Sequence, residues 1–551
     1  MFKRQTNRLL FHCLILSLLV SGCSSTRSGP GIYEGFGNYT RTASTRDAQA
    51  QQLFNQGMQL LYGFNHDEAI RSFERAAEID PQFAMAWWGV AYARGLHINN
   101  PVMTEVQSKR AYEAAQKAIA QIDHASPVEQ ALIRAVAKRY AMPIPEKRDH
   151  LDRAYADAMQ AAWKQFPNDP DVGALYAESL MNLQPWDLWT ADGQPKGRTL
   201  EIVAVIERVL EIEPNHPGAN HFYIHAVEAS NDPGRALAAA DRLGKLVPGS
   251  GHLVHMPAHI YARVGQWAKA SDSNVAAVKA DRAYFAVAPA PEFYSLYYVH
   301  NIHFLAWSSM MEGRYETALN TARELERDIP KPFLKDWTFV ADGFMPVVYH
   351  VLIRFGKWDA ILAEAEPPSY RHVSRASWRY ARGVALAAQG KTKESKVELA
   401  AFEREAAAIP ADWVVGNNKA ASVMDVARHM LQGELAYREG RIDEAFALLR
   451  KGVELEDALS YDEPPGWMQP VRHALGALLM AENRAKEAEQ VYREDLKKYP
   501  NNGWALLGLG QALEKQGRVS DAKMLGEQLS KAWARADVKP VASCYCHPDA
   551  R

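Results

Sequence analysis

Apolar residues recur at helical spacing along most of the chain, and the strict alternation that marks strands is nearly absent. Ala, Leu, Glu, Arg and Lys dominate these stretches, and all five are good helix formers. A skeleton of small residues and prolines punctuates the pattern. From Phe54 to Pro81 it reads Gly57, Ala69, Phe73, Ala76, Pro81, with Trp87 opening the next stretch. Gly265 and Ala270, Gly313 and Ala318, Gly440 and Ala445, and Gly517 and Ala522 repeat one spacing, while Pro248, Pro330 and Pro500 close segments. Gly476 and Gly510 lie one such period apart. The pattern predicts a run of short helical hairpins, each too small to bury its own apolar face, so that stacking must bury it.

That skeleton resembles the tetratricopeptide (TPR) repeat, in which small residues let two antiparallel helices touch and a proline ends the second. The resemblance covers most of residues 50–535, with degenerate stretches at 101–166 and 330–375. It implies an all-α, TPR-like α-solenoid of on the order of ten units, with a concave groove suited to a protein or peptide ligand.

The first residues have a different pattern. Lys3, Arg4 and Arg8 precede an apolar run, Leu9 to Val20, too short to span a membrane stably. Val20-Ser21-Gly22-Cys23 follows and resembles a bacterial lipobox, which implies lipidation of Cys23 and membrane attachment through that lipid. Residues 1–22 are thus expected to be a lipoprotein signal peptide. Residues 23–46, rich in Ser, Thr and Gly, are expected to form a flexible tether. The solenoid is assigned to 47–535 and a tail to 536–551. Ser24 after the lipidated Cys points to the outer membrane, with the body facing the periplasm. The formal net charge of -2 gives no basic footprint for nucleic acid. Once Cys13 leaves with the signal and Cys23 is lipidated, Cys544 and Cys546 remain, so the body does not rest on a disulfide framework.

Histidine carries the chemical signal. Of 18 in the chain, seven fall between residues 221 and 303: His221, His225, His252, His255, His259, His300 and His303. Three consecutive units hold them in matched register. His221, His255 and His303 share one position, His252 and His300 a second, His225 and His259 a third. Glu178 takes that third position one unit earlier, and Glu228 lies one turn beyond His225. By the family resemblance, these register positions line the concave groove. Residues four apart share a helix face, and packed helices stand about 8–10 Å apart. Imidazoles from neighbouring helices can therefore reach one ion. His221, His225, His252, His255, His259, His300, His303 and Glu178 are the candidate metal ligands, and Glu228 is a candidate ligand or general base. Imidazole with carboxylate suits Zn, Fe or Cu and argues against Ca or Mg. The same stack could instead bind an anionic peptide or bond its own backbone.

Three further segments stand out. Leu183 to Thr199 and Lys279 to Tyr294 read as long aromatic loops that could cover the site. Tyr461-Asp462-Glu463-Pro464-Pro465-Gly466-Trp467 is a polar and aromatic cluster that a superhelix could bring across from the histidines, and His473 falls in groove register after it. Cys544-Tyr545-Cys546-His547 could hold a soft metal or close a disulfide. Walker, Rossmann, G-x-S-x-G and H-E-x-x-H motifs are absent. Two readings follow. One is a metal-binding lipoprotein of the cell envelope whose His/Glu site could support catalysis. The other is a non-catalytic scaffold that binds a protein or peptide partner.

Overall fold

The computed structural model describes residues 31–288 and 293–550. It is an all-α, TPR-like array of antiparallel helical hairpins, as the sequence predicts. Among the described residues the only strands are Val414–Val415 and Asn418–Lys419, one small hairpin.

The first hairpin shows how the pattern produces the packing. Asp47 caps the helix Ala48–Tyr62 by accepting from the Gln49 and Ala50 N–H groups, and Asn65 caps the helix His66–Ile79. Phe73, fully buried, lies between Gly57 and Gly89, where an added Cβ would sit 2.4 Å and 2.6 Å from its ring. The same clasp recurs near the other end: Tyr492 lies between Gly476 and Gly508, with Cβ approaches of 2.5 Å and 2.2 Å. Gly508, rather than Gly510, is therefore the structural partner of Gly476, and a Cβ on Gly510 would meet open space.

The array curls back on itself. Trp267 Nε1 donates to the carbonyl of Pro500 at 2.9 Å, and Trp504 Nε1 donates to that of Met310 at 2.8 Å. This closure lays the segment around Tyr461 to Trp467 against the middle of the chain.

Several regions differ from expectation. Residues 31–46, expected within the flexible tether, lie packed on the body. Tyr39 Oη donates to Asp171 at 2.5 Å, Arg41 pairs with Asp169 and Asp171, and Phe36 is buried. Apolar and charged residues scattered through a Ser/Gly-rich stretch found fixed partners more than a hundred residues away. Of the Lys279–Tyr294 segment, the described part is mostly helical: the helix Trp267–Val287 runs into it on good helix formers and ends two residues before Pro289 in the sequence. Leu183 to Arg198 is a loop, as expected, and Thr199 opens the helix that follows. The degenerate 330–375 stretch breaks into short helices, Lys331–Asp336, Thr338–Ala341, Val347–Arg354 and Trp358–Ala363. The signal segment and Cys23 lie outside the described residues. No described helix is long and apolar enough to cross a membrane.

Candidate metal centre

Three helical segments carry the histidine ladder. Pro217, with no N–H to leave unpaired, opens the helix Pro217–Val227, and the His216 ring caps it by accepting from the Ala219 N–H. Ser250 caps Gly251–His255. Pro257 then removes one N–H from the ladder, and Pro257–Arg263 continues beyond Met256, which keeps α-helical dihedrals. The third segment is Ser295–Met311. The first is wholly enclosed, with every residue of Pro217–Val227 buried, whereas His300 on the third is part-exposed.

Six of the seven ladder histidines converge in two triads. One ring nitrogen from each of His221, His225 and His252 lies within 4.8 Å of the others, and the same holds for His255, His259 and His300. In the second triad His255 Nε2 is 2.9 Å from His259 Nε2 and 3.0 Å from His300 Nε2. Four tetrahedral nitrogens at Zn–N bond lengths would stand about 3.3 Å apart. Both contacts of His255 are thus already close to the edge length of a coordination tetrahedron.

The outward nitrogens explain why the rings point inward. His221 Nδ1 donates to the Tyr62 carbonyl at 2.7 Å, and His255 Nδ1 to Asn274 Oδ1 at 2.7 Å. Asn274 is itself fixed, because its Nδ2 donates to the Ala270 carbonyl. His225 Nδ1 lies 2.8 Å from Glu228 Oε1, and His259 Nδ1 lies 2.9 Å from Glu228 Oε2 and 3.2 Å from Glu463 Oε2. With Nδ1–H donated outward, as in the neutral His221 and His255 rings, Nε2 keeps its lone pair directed into the hollow, whereas His252 Nδ1 has no such partner among the described residues. This is the outer-shell arrangement that orients histidines at metal sites.

Electrostatics agree with that assignment. Burial, reinforced by the neighbouring imidazoles, pushes His221, His252, His255 and His300 well below the ordinary histidine range, so these rings stay neutral. His259 is the exception. Burial would lower it, but the Glu228 carboxylate, with Glu463, raises it to about 10. Burial likewise opposes ionisation of Glu228, yet the His259 and His225 rings hold it well below the usual carboxylate range. Two facing imidazole lone pairs 2.9 Å apart require a cation between them, either a proton or a metal ion.

Not every expected residue joins this centre. Glu178 accepts from Tyr92 Oη at 2.8 Å and from Asn182 Nδ2 at 2.6 Å, close to Arg139, and belongs to neither triad. Its carboxylate is satisfied by Tyr92 of the helix Ala84–Ala93 and by Asn182 one turn further along. His303 turns toward Phe344 and lines a neighbouring cavity of about 60 Å3 with His300, His350 and Glu463. Glu228 has both oxygens on imidazole Nδ1 atoms and accepts from Tyr461 Oη at 3.2 Å, so it holds two rings in place rather than facing an open space as a base. His473 faces Arg354 and Asp495 in a separate buried cluster. Cys544 and Cys546 form a disulfide, and Arg438 donates to the Cys546 carbonyl.

Other residues join the site without having been singled out as ligands. Glu463 completes a third set with Glu228 and His259. Its signal was the Tyr461 to Trp467 cluster, and only the closed superhelix puts it opposite the ladder. His97 stacks on Phe64 at 4.3 Å between ring centres, and Phe64 in turn meets His221 edge-on at 4.5 Å. Within the Leu183 to Arg198 loop, Trp189 Nε1 donates to the Ala226 carbonyl and Trp186 lies edge-on to His225, so the loop covers the first triad.

Residues 479–532 match the model of the tetratricopeptide repeat family. No curated protein matches the chain. Among solved structures, the human IFIT1 dimer with m7Gppp-AAAA is 12% identical, with 90% of this chain and 91% of that chain covered and a TM-score of 0.32. Yeast Tom70 is 11% identical, with 88% and 90% covered and a TM-score of 0.31. A chain of the APC/C hetero-tetramer Cut9-Hcn1 is 13% identical, with 90% and 79% covered and a TM-score of 0.32. Likeness at this level has no bearing on what this chain binds.

Proposed function

We propose that the chain is a metal-binding helical-repeat lipoprotein of the cell envelope, attached through Cys23, whose hollow holds a transition-metal ion on His255, His259 and His300. The observation that carries this reading is the pair of contacts from His255 Nε2 to His259 Nε2 and His300 Nε2, at 2.9 Å and 3.0 Å, with the outward Nδ1 atoms of His255 and His259 anchored. Three imidazoles with carboxylates behind them suit Zn, Fe or Cu. Three protein ligands leave a position for an exogenous group, and the cavity lined by His300, His303 and Glu463 adjoins it. An ion with such a position supplies Lewis-acid polarisation of a bound substrate or water. In this chain His303, Asp462 and Glu463 would meet that group, and burial raises Asp462 to about 7, where it can hold or release a proton near neutrality.

Elemental analysis of protein purified without added metal tests the assignment. The expected result is stoichiometric Zn, Fe or Cu, lost in a folded His255→Ala plus His300→Ala variant. A wild-type protein that binds no transition metal, or a folded variant that keeps its full complement, overturns it.

The scaffold reading draws on the 479–532 match, since TPR arrays commonly take protein or peptide ligands. It predicts a partner captured equally well with and without chelator.

A further inference from the structure

The first triad is geometrically separate from the second, sharing no residue with it. His221 Nε2 and His252 Nε2 are 3.0 Å apart. His225 Nε2 is buried and has no hydrogen-bond partner among the described residues, although its Nδ1 is held by Glu228 Oε1 at 2.8 Å. A buried imidazole nitrogen fixed in direction and without a hydrogen-bonding protein partner is a costly arrangement. A cation among the three rings would satisfy it. Aromatic rings wall this space from solvent. Phe64 stacks near His252 at 5.7 Å and meets His221 edge-on at 4.5 Å, while Trp186 meets His225 edge-on at 5.2 Å.

The two triads share one carboxylate. Glu228 gives Oε1 to His225 of the first and Oε2 to His259 of the second, at 2.8 Å and 2.9 Å. Across the boundary the rings remain close, with His252 and His255 6.2 Å and His225 and His259 6.5 Å between centres.

We infer that the hollow is a two-ion centre: a second transition-metal ion, of the Zn or Cu type that all-imidazole ligation favours, occupies His221, His225 and His252, and Glu228 couples the two sites by positioning a ligand of each. This rests on the metal reading above for the second triad, but the first triad is tested independently of it. The neighbouring dications repel, and one shared carboxylate offsets only part of that charge. Binding is therefore stepwise. The His255, His259 and His300 site, backed by Glu463 as well as Glu228, fills first.

The test is a Co2+ titration of metal-free full chain, followed by calorimetry and by visible absorption. Wild type is expected to bind two ions per chain in two resolved steps. His221→Asn plus His252→Asn removes the second step and leaves the first. His255→Asn plus His300→Asn leaves one ion at the first triad. Glu228→Gln weakens both steps, by about 10-fold to 100-fold each, and shifts both absorption spectra, as loss of an outer-shell partner does. If the first-triad double variant does not fold, His225→Gln, whose amide can still donate to Glu228, should weaken the second step alone. A single ion in wild type, retained with unchanged affinity in either first-triad variant, overturns the two-ion centre while sparing the metal reading. No ion at all overturns both. A Glu228→Gln variant that alters only one step overturns the coupling.

Discussion

In the helix Ala485–Lys498 of the C-terminal stack the buried residues are Ala485, Ala488, Val491, Tyr492 and Asp495, a single stripe, whereas every residue of Pro217–Val227 is buried. Both helices belong to hairpins of the same general design. The stack helix has solvent on its other side, where Glu487, Glu489 and Arg493 form ion pairs. The central helix has none, because the N-terminal segment, the Leu183 to Arg198 loop and the Tyr461 to Trp467 segment close over it. In a helix enclosed on all sides, polar side chains must look for partners inside the protein. Four of the six triad histidines find one outward, His221 on Tyr62, His255 on Asn274, and His225 and His259 on Glu228, and this leaves their inner nitrogens turned into the hollow. The difference shows how a repeat array makes a site. The stack spends its interior on packing, and the middle gives part of its interior to polar groups whose partners are fixed by distant segments.

The sharpest way to break this contrast is at Glu228. Glu228→Ala strips the anion from two buried imidazole Nδ1 atoms and leaves the His259 cation with Glu463 alone. Removal of one partner of a buried charged pair costs about 3–5 kcal/mol. Denaturant unfolding of metal-free protein should show a loss of that order. A loss below about 1 kcal/mol, the surface-pair range, would mean that the hollow carries no more electrostatic load than the stack exterior.

A smaller effect is expected from Asp281, which supports the first triad from behind. It accepts from Tyr294 Oη at 3.0 Å and from Asn301 Nδ2 at 2.7 Å, and Tyr294 Oη accepts the His252 backbone N–H. Burial raises Asp281 to about 7, with no cation beside it. In the window from about 4 to about 7 the folded state keeps a proton that the unfolded chain releases. The contribution is therefore fully present below that window and is lost as pH rises through it, by at most about 1.4 kcal/mol per pH unit. Stability of wild type relative to Asp281→Asn, measured from pH 4 to 8 with chelator present, should fall with rising pH. A flat or rising difference would remove Asp281 from the account.

Much of this contrast was legible in the residue pattern. Gly57 and Phe73 of the first clasp are read along the chain, but the repeat period pairs Gly476 with Gly510, and the structure puts Gly508 there instead, with Tyr492 between the two glycines. The ladder was legible too: His221, His225, His252, His255, His259 and His300 sit on successive hairpins, and register alone puts them on one wall. Register does not say where a carboxylate finds its partners, and Glu178 was assigned to the wall for want of the Tyr92 and Asn182 contacts that hold it elsewhere. Glu463 required the opposite kind of information. It is 204 residues from His259 in sequence, and only the curvature of the whole array brings them within 3.2 Å. The packed course of residues 31–46 was hidden likewise, because Arg41 and Tyr39 find Asp171 only once several hairpins have stacked.

The stack supplies the smallest effect. Arg450 and Glu487 join the neighbouring helices Ile442–Asp457 and Ala485–Lys498 at 2.6 Å, with side chains 44% and 42% exposed. At that exposure water screens the charges in both the paired and the separated state, and two long side chains lose rotamer freedom to meet. A double-mutant cycle through Arg450→Ala and Glu487→Ala should therefore give a coupling of about 0.2–1 kcal/mol that fades in high salt. A salt-insensitive coupling above about 2 kcal/mol would show that ion pairing, rather than the buried stripe of Ala488, Val491 and Tyr492, holds these hairpins together, and the two regions would then share one electrostatic logic instead of two.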